Sequence, residues 1–162
     1  MTLSMLQTLD RGGYAHDETL WPIVVNMIPS RAIDGELDAH MRYVDRLYAR
    51  GEPFFTATFI SLKTRSTSEQ RARMGQRMKD TQEQMRALNR GAVFIAGSTL
   101  FRFTLSGVML LSPMPIPYEV CTTSDEAAQW LRGALRDEGL PIPTGLESSL
   151  RTMEQAFTAR GR

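Results

Sequence analysis

The sequence predicts an α/β domain, built on a mainly parallel sheet of four to five strands that alternates with helices. Two observations lead to this fold class. Short runs rich in β-branched and aromatic residues alternate with longer segments in which apolar residues recur every three or four positions. Such an order of strand, helix and strand is typical of a parallel sheet with helices packed against it. A length of 162 residues, 42% of them hydrophobic, suits one domain of this kind with a sizeable core.

The domain proper is expected to cover residues 21–138. Residues 1–20 mix glycines with polar side chains and a few leucines, so we predict a mobile arm or a short docking segment ahead of the core. Residues 21–28 (WPIVVNMI) predict the first strand, because they are rich in β-branched side chains and are followed by Pro29.

A helix and a second strand come next. From Ile33 the apolar residues have helical spacing, with Asp34 as a candidate N-cap and Gly51 just past the expected end. Residues 54–62 (FFTATFISL) are dense in aromatic and β-branched side chains, which indicates a buried central strand.

Residues 66–89 predict a long helix. Ser66 and Glu69 have the spacing of a capping box, and Gly91 stands where the helix is expected to end. Residues 92–96 then predict a short buried strand. The helix has a thin apolar face, which consists of Met74, Met78, Met85 and Leu88.

The last third of the chain repeats the alternation. Residues 99–111 (TLFRFTLSGVMLL) predict a helix that is apolar almost all round, and three prolines follow it. Residues 118–122 predict the fourth strand, and Ser124 is a candidate cap for the next helix. Residues 139–162 are expected to form a linker and a polar C-terminal helix.

Composition excludes several classes of function. The 19 basic and 18 acidic side chains give a net charge of +1, so the chain as a whole is not built to bind polyanions. Cys121 is the only cysteine, which rules out an intrachain disulfide. A thiolate zinc site would have only His16 and His40 to complete it, so we predict no metal site.

The expected location is the cytoplasm of a bacterium. The N-terminal segment lacks the basic and apolar regions of a signal peptide. The longest apolar stretch, Thr99 to Pro113, is interrupted by Arg102 and is shorter than the roughly 20 residues that a membrane span needs. Seventeen of the 19 basic residues are arginine, which is the bias of a GC-rich bacterial genome.

The sequence predicts no catalytic residue and no cofactor. It contains no dinucleotide-binding, P-loop, zinc-protease or nucleophile-elbow motif. His40 has the surroundings of an ordinary helical histidine, and His16 falls in the predicted arm. Cys121 is best explained as a small buried apolar residue.

The loop that precedes the long helix is the best local candidate for a small site. It follows a central strand and opens a helix, and ligands favour that edge of an open α/β sheet. The candidate residues for anion binding or phosphorylation are Ser66, Thr67 and Ser68, with Lys63 and Arg65 beside them. Plain N-capping explains the same hydroxyl groups and is the simpler interpretation.

Two surfaces are candidates for contact with a partner. Residues 63–90 carry eight basic and three acidic side chains, a local net charge of +5, and Arg73 and Arg77 are candidates to meet an acidic partner. Because no aromatic residue interleaves this segment, a solvated face is favoured over a nucleic-acid site.

The second candidate surface is the apolar helix 99–111, which has too many apolar residues for one buried stripe. A partner protein, a second copy of the chain, the N-terminal arm or the C-terminal helix would each cover the excess. The interaction residues predicted on this helix are Leu100, Phe101, Leu105 and Met109.

The order of elements over about residues 21–138 resembles the STAS or SpoIIAA-like fold of anti-sigma-factor antagonists, in its small stand-alone bacterial form. The resemblance rests on the WPIVVNMIP strand, the Ser/Thr-rich helix start and the apolar helix. It implies a protein that binds other proteins, with phosphorylation at Ser66, Thr67 or Ser68. The sequence departs from the switched members at Arg65, where they have an acidic residue.

We therefore expect a non-enzymatic, regulatory or protein–protein interaction module that binds a protein partner or itself as a homo-oligomer. The alternative is a small-ligand or anion site, for a nucleotide or phosphate, at residues 63–68. Nucleic acid is not an expected partner.

Overall fold

The computed structural model describes residues 3–61, 63–111 and 114–161. Over these residues the chain forms helices and strands in this order: α1 (Leu3–Asp10), β1 (Ala15–Leu20), β2 (Ile23–Met27), α2 (Asp34–Ala49), β3 (Phe54–Phe59), α3 (Ser68–Asp80), α4 (Gln82–Leu88), β4 (Asn89–Ile95), α5 (Thr99–Leu111), β5 (Tyr118–Cys121), α6 (Ser124–Asp137) and α7 (Leu146–Gly161). No helix in these ranges is long and apolar enough to cross a membrane.

The five strands form one sheet in which the spatial order equals the chain order, β1-β2-β3-β4-β5. β1 and β2 are antiparallel, and every later pair is parallel. Because helices connect the parallel strands, the prediction of an α/β domain with a mainly parallel sheet is confirmed.

Residues 3–20 belong to the core, so the prediction of an arm ahead of it is wrong for this part of the chain. α1 packs near β1, and β1 pairs with β2 from Ala15 opposite Met27 to Leu20 opposite Ile23. Met5 and Leu9 of α1 are also buried. The segment was misread because its apolar residues are few and widely spaced, although most of them point inward.

One face of the sheet carries the main core. The side chains of alternate strand residues pack there against α1, α6 and α7. The C-terminal helix, predicted to be polar, contributes Leu146, Leu150 and Met153, each at most 2% exposed. Residues 139–162 are therefore more than a linker and a surface helix.

The other face of the sheet is covered by α2, α3 and α4 and is packed less completely. Two small buried clusters lie there, one around Leu47 and Phe54 and one around Met85 and Ala92. Between them the strands present polar residues, and a cavity of about 390 Å³ lies over these residues. This difference between the two faces positions the candidate site described below.

The start of the long predicted helix differs by one residue from the expectation. The capping box uses Thr67 and Gln70, not Ser66 and Glu69: Thr67 Oγ1 accepts from the Gln70 backbone N–H at 3.0 Å, and Gln70 Oε1 accepts from the Thr67 backbone N–H at 3.0 Å. The helix is also broken at Thr81, so α3 and α4 are separate helices.

Two further boundaries differ. Ile33, not Asp34, is the N-cap residue of α2, and Asp34 Oδ1 instead accepts a hydrogen bond of 2.9 Å from Gln70 Nε2. Gly91 lies inside β4 rather than at a helix end. A Cβ atom there would stand 2.8 Å from the Trp130 ring, so this glycine allows a close approach of α6 to the sheet.

Candidate functional site

The first candidate surface is the helix α5, the most apolar helix of the chain, whose bounds match the prediction. Within residues 99–107, whose side chains the structure describes, none is buried. Leu100 is 72% exposed and Phe103 is 70% exposed. We call the side chains of residues 100–105 on this helix the α5 face.

The α5 face carries no unpaired charge within the described residues. Arg102 is the only charged residue of α5, and its guanidinium lies 3.8 Å from the carboxylates of Glu119 and Glu126. The predicted interaction residues Phe101 and Leu105 are partly buried. The side chain of Met109 lies outside the part of the chain that the structure describes.

Arg73 and Arg77 lie elsewhere, on α3, and do not extend the α5 face. Arg73 forms an ion pair with Asp38 of α2, and Arg77 forms one with Asp45 of the same helix. These two arginines therefore join α3 to α2, and their charge is already balanced by acidic residues of the chain.

The loop 63–68 is tied to its own surroundings. Thr67 and Gln70 share the capping box described above, and the Arg71 guanidinium donates to the backbone oxygen of Ser66 at 2.6 Å and to Ser68 Oγ at 3.0 Å. The backbone N–H of Arg65 donates to the Ser30 oxygen at 2.7 Å. The hydroxyl groups of Thr67 and Ser68 thus accept hydrogen bonds within the chain, whereas Thr64 Oγ1 is buried without a partner among the described residues.

Lys63 lies at the carboxyl edge of the sheet, where two cavities of about 240 and 250 Å³ share Ser61, Lys63 and Phe157 in their linings. Two of their polar side chains are engaged within the chain: Ser98 Oγ accepts from the backbone of Phe101, and Glu154 accepts from Ser124.

The second candidate site is a cavity of about 390 Å³ between the sheet and the helices α2, α3 and α4. We call it the methionine cavity, because five methionines from three helices and one loop line it: Met41, Met74, Met78, Met85 and Met114. Aromatic and aliphatic side chains complete the apolar part of the wall: Val44, Leu47, Tyr48, Phe54 and Phe94.

The sheet gives the methionine cavity a polar floor of Asn26, Thr56 and Thr58. The parallel register places Asn26 of β2 directly opposite Thr58 of β3, while Thr56 is two residues away on the same face. Neither threonine hydroxyl has a hydrogen-bond partner among the described residues, and the Asn26 amide nitrogen has none there either. The floor therefore presents unpaired polar groups to an apolar space.

A chain of hydrogen bonds reaches the same cavity. His16 Nδ1 lies 2.9 Å from Asn26 Oδ1, and His16 Nε2 lies 3.3 Å from His40 Nδ1. We call Asn26, His16 and His40 the histidine chain. An amide oxygen only accepts, so His16 Nδ1 carries its proton, and His40 Nδ1 then donates to His16 Nε2. This leaves Nε2 of His40 as an acceptor, and His40 is among the residues that line the cavity.

The histidine chain is neutral near pH 7. Burial, and secondarily the neighbouring His16, lowers the pKa of His40 to about 4, and burial also lowers the pKa of His16. The rings are held by stacking, with Tyr43 centred 3.7 Å from His16 and Tyr14 centred 4.3 Å from His40. Burial and a hydrogen bond to Glu18 raise the pKa of Tyr43, so its hydroxyl keeps its proton.

Other reactive groups give no site. Cys121 is buried, and burial raises the pKa of its thiol to about 12, so it is not a nucleophile near pH 7. No group of three metal-ligating side chains occurs among the residues described.

Sequence reasoning missed the methionine cavity and the meeting of the two histidines. One signal was present: the predicted strands contain Asn26, Thr56 and Thr58 among apolar residues, which is unusual for strands buried on both faces. The histidines gave no signal, because 24 positions separate them and they belong to different elements, β1 and α2, that only the tertiary fold brings together.

In comparisons with known proteins, no family model, no curated protein and no solved structure matches this chain. The fold and its sites define the class only as an α/β domain with an exposed apolar helix and a cavity on one sheet face.

Proposed function

We propose that the domain is a non-enzymatic protein–protein interaction module whose α5 face binds a second copy of the chain. One observation carries this proposal: the most apolar helix has no buried side chain over residues 99–107, whose side chains are described. Large apolar groups exposed together mark interaction surfaces more often than they mark ordinary protein surface.

The free energy of apolar burial favours a partner that covers the α5 face. Burying an exposed leucine or phenylalanine fully contributes about 1.5–3 kcal/mol. Leu100 and Phe103 stand three positions apart on α5, so they lie on the same side of the helix and one partner surface would cover both. Phenylalanine is also among the residues enriched in the centres of interfaces.

The lack of free charge on the α5 face supports a second copy as the partner. Since Arg102 is held by Glu119 and Glu126, the complementary surface has to be apolar rather than charged. The α5 face of another copy is such a surface. Two copies related by a twofold axis would bury the same residues on each side.

The resemblance to STAS-like domains supports the same class of function. The observed order over residues 21–138, with four parallel strands, a capped helix after β3 and an apolar helix after β4, follows the order on which that resemblance was based. A bacterial, cytoplasmic location remains part of this proposal, supported by the arginine-rich composition and the single buried cysteine. The anion or phosphorylation site at 63–68 takes second place, because the hydroxyl groups of Thr67 and Ser68 already accept hydrogen bonds within the chain.

The test is the mass in solution of the full chain over a range of concentrations, by light scattering. We expect a dimer for the natural sequence and a monomer for the double variant Leu100→Glu/Phe103→Glu. Both side chains are largely exposed, so the folded monomer should tolerate the change. Ile33→Glu is the matched control, because Ile33 is also exposed, at 53%, and belongs to the start of α2 rather than to α5.

The control should remain a dimer. A natural chain that stays monomeric at every concentration would show that self-association is wrong. A double variant that stays dimeric with an unchanged thermal unfolding curve would place the interface somewhere other than the α5 face.

A further inference from the structure

We infer that the methionine cavity is a binding site for a small neutral molecule with an apolar body and a hydroxyl head group. This inference is independent of self-association, because the methionine cavity is lined by α2, α3, α4 and the sheet, and none of the residues that line it belongs to the α5 face.

The apolar wall suits a flexible hydrocarbon body. Methionine side chains are unbranched and polarisable, so a wall of five can adjust to ligands of different shape. A volume of about 390 Å³ lies within the roughly 300–1,000 Å³ usual for small-molecule sites. Met78, 39% exposed on the outer side of α3, stands at the rim of the cavity.

The polar floor is the observation that points to a ligand rather than to loose packing. Valine has nearly the shape of threonine and would fill both Thr56 and Thr58 without leaving a hydroxyl unpaired. Thr58 is a nearly buried residue, yet its hydroxyl has no partner in the described part of the chain. Polar groups placed in this way at the base of an apolar cavity are the pattern of sites that orient a bound molecule.

The chemistry of these groups selects the head group. The Asn26 oxygen accepts from His16, and its amide nitrogen, which can only donate, is left for a ligand. Nε2 of His40 can only accept while the ring is neutral, and the threonine hydroxyls can do either. A head group that meets both Asn26 and His40 must both accept and donate, as an alcohol does.

The charge balance of the lining excludes a strongly charged head group. Arg77 is the only charged side chain among the residues that line the cavity, and Asp45 neutralises it. Arg77 Nε is nevertheless buried without a hydrogen-bond partner among the described residues, so a carboxylate is the strongest competing head group. An experiment on this site has to separate an alcohol from an acid.

The test is isothermal titration of the full chain near neutral pH with n-octanol, n-octanoate and n-octylammonium, which share one apolar body. We expect saturable binding of n-octanol and at least roughly tenfold weaker binding of the two ions, since one unmet polar interaction is worth about that factor. Met74→Trp, which fills the cavity from α3, should abolish the binding of n-octanol.

The double variant Thr56→Val/Thr58→Val should weaken n-octanol binding roughly tenfold while it keeps the volume of the cavity. Thr152→Val, on the exposed side of α7, is the matched control and should bind as the natural chain does. Thermal unfolding tests whether each variant is folded. If the double variant is not folded, Met74→Trp still decides whether n-octanol binds in the cavity.

Three results would overturn the inference. The first is no saturable binding of n-octanol. The second is tighter binding of n-octanoate than of n-octanol, which would assign the site to acids held by Arg77. The third is unchanged n-octanol binding in folded Met74→Trp, which would place the binding outside the cavity.

Discussion

The two faces of the sheet are built by the same strands but differ in how completely helices cover them. On one face, α1, α6 and α7 cover alternate residues of β2, β3 and β4, and most of the core side chains there are fully buried. On the other face, α2, α3 and α4 leave the methionine cavity open above Asn26, Thr56 and Thr58. The comparison shows that one face carries the tightly packed core and the other carries the open cavity.

The largest expected effect is a difference in stability between equivalent truncations on the two faces. Phe55→Ala removes a fully buried ring from the main core and should lower the free energy of unfolding by about 3–5 kcal/mol. Met41→Ala, on the wall of the cavity, should cost about 1 kcal/mol, because its neighbours already border empty space. Denaturant unfolding of both variants measures the difference. Equal losses would mean that the two faces are packed alike.

The histidine chain predicts a pH dependence that belongs to the cavity face. Because the folded pKa of His40 is about 4 and the unfolded value is about 6.5, the unfolded chain binds more protons between these values. Stability should therefore be full above about pH 6.5 and should fall as the pH drops towards 4, by about 3 kcal/mol in total.

The variant His40→Asn should flatten this part of the pH profile, as measured by denaturant unfolding at a series of pH values. His16, whose pKa shifts in the same direction, and the nearby charges of Glu18 and Arg46 remain in the variant. A profile of the variant that is as steep as that of the natural chain would show that His40 does not titrate as described.

The smallest expected effect is a gain in the free energy of unfolding rather than a loss. Thr58→Val alone should raise the free energy of unfolding of the ligand-free protein by about 0.5–1 kcal/mol, because it replaces an unpaired hydroxyl with a methyl group of similar shape. Thermal and denaturant unfolding would detect it. A clear loss of stability would show that the hydroxyl serves the fold, and the polar floor would then lose its connection with a ligand.

How much the sequence could predict differs between elements for physical reasons. The bounds of α5 were predictable because a long apolar run between Gly97 and a group of prolines leaves little choice. The break at Thr81 was not predictable, since the helical spacing of apolar residues continues from α3 into α4. The separation of the two helices depends on how each packs on the sheet.

The two candidate sites also differ in how far the sequence could predict them. The α5 face was predictable in outline, because an excess of apolar residues is a property of the helix itself. The methionine cavity was not, because it requires knowing which strand residues face α2 and α3 and which of their hydroxyls lack partners. Thr56 and Thr58 looked like ordinary strand residues until the register with Asn26 was known.

The core that α1 and α7 share has a consequence for how the protein is made. Leu9 and Phe157, near the two ends of the described chain, line the same cleft, and Met153 reaches the same core as Met5. A ribosome completes the strands before it completes α7, so the part of this core that Leu146, Leu150 and Met153 cover stays exposed until α7 has been made. Apolar surface exposed in this way during synthesis favours aggregation.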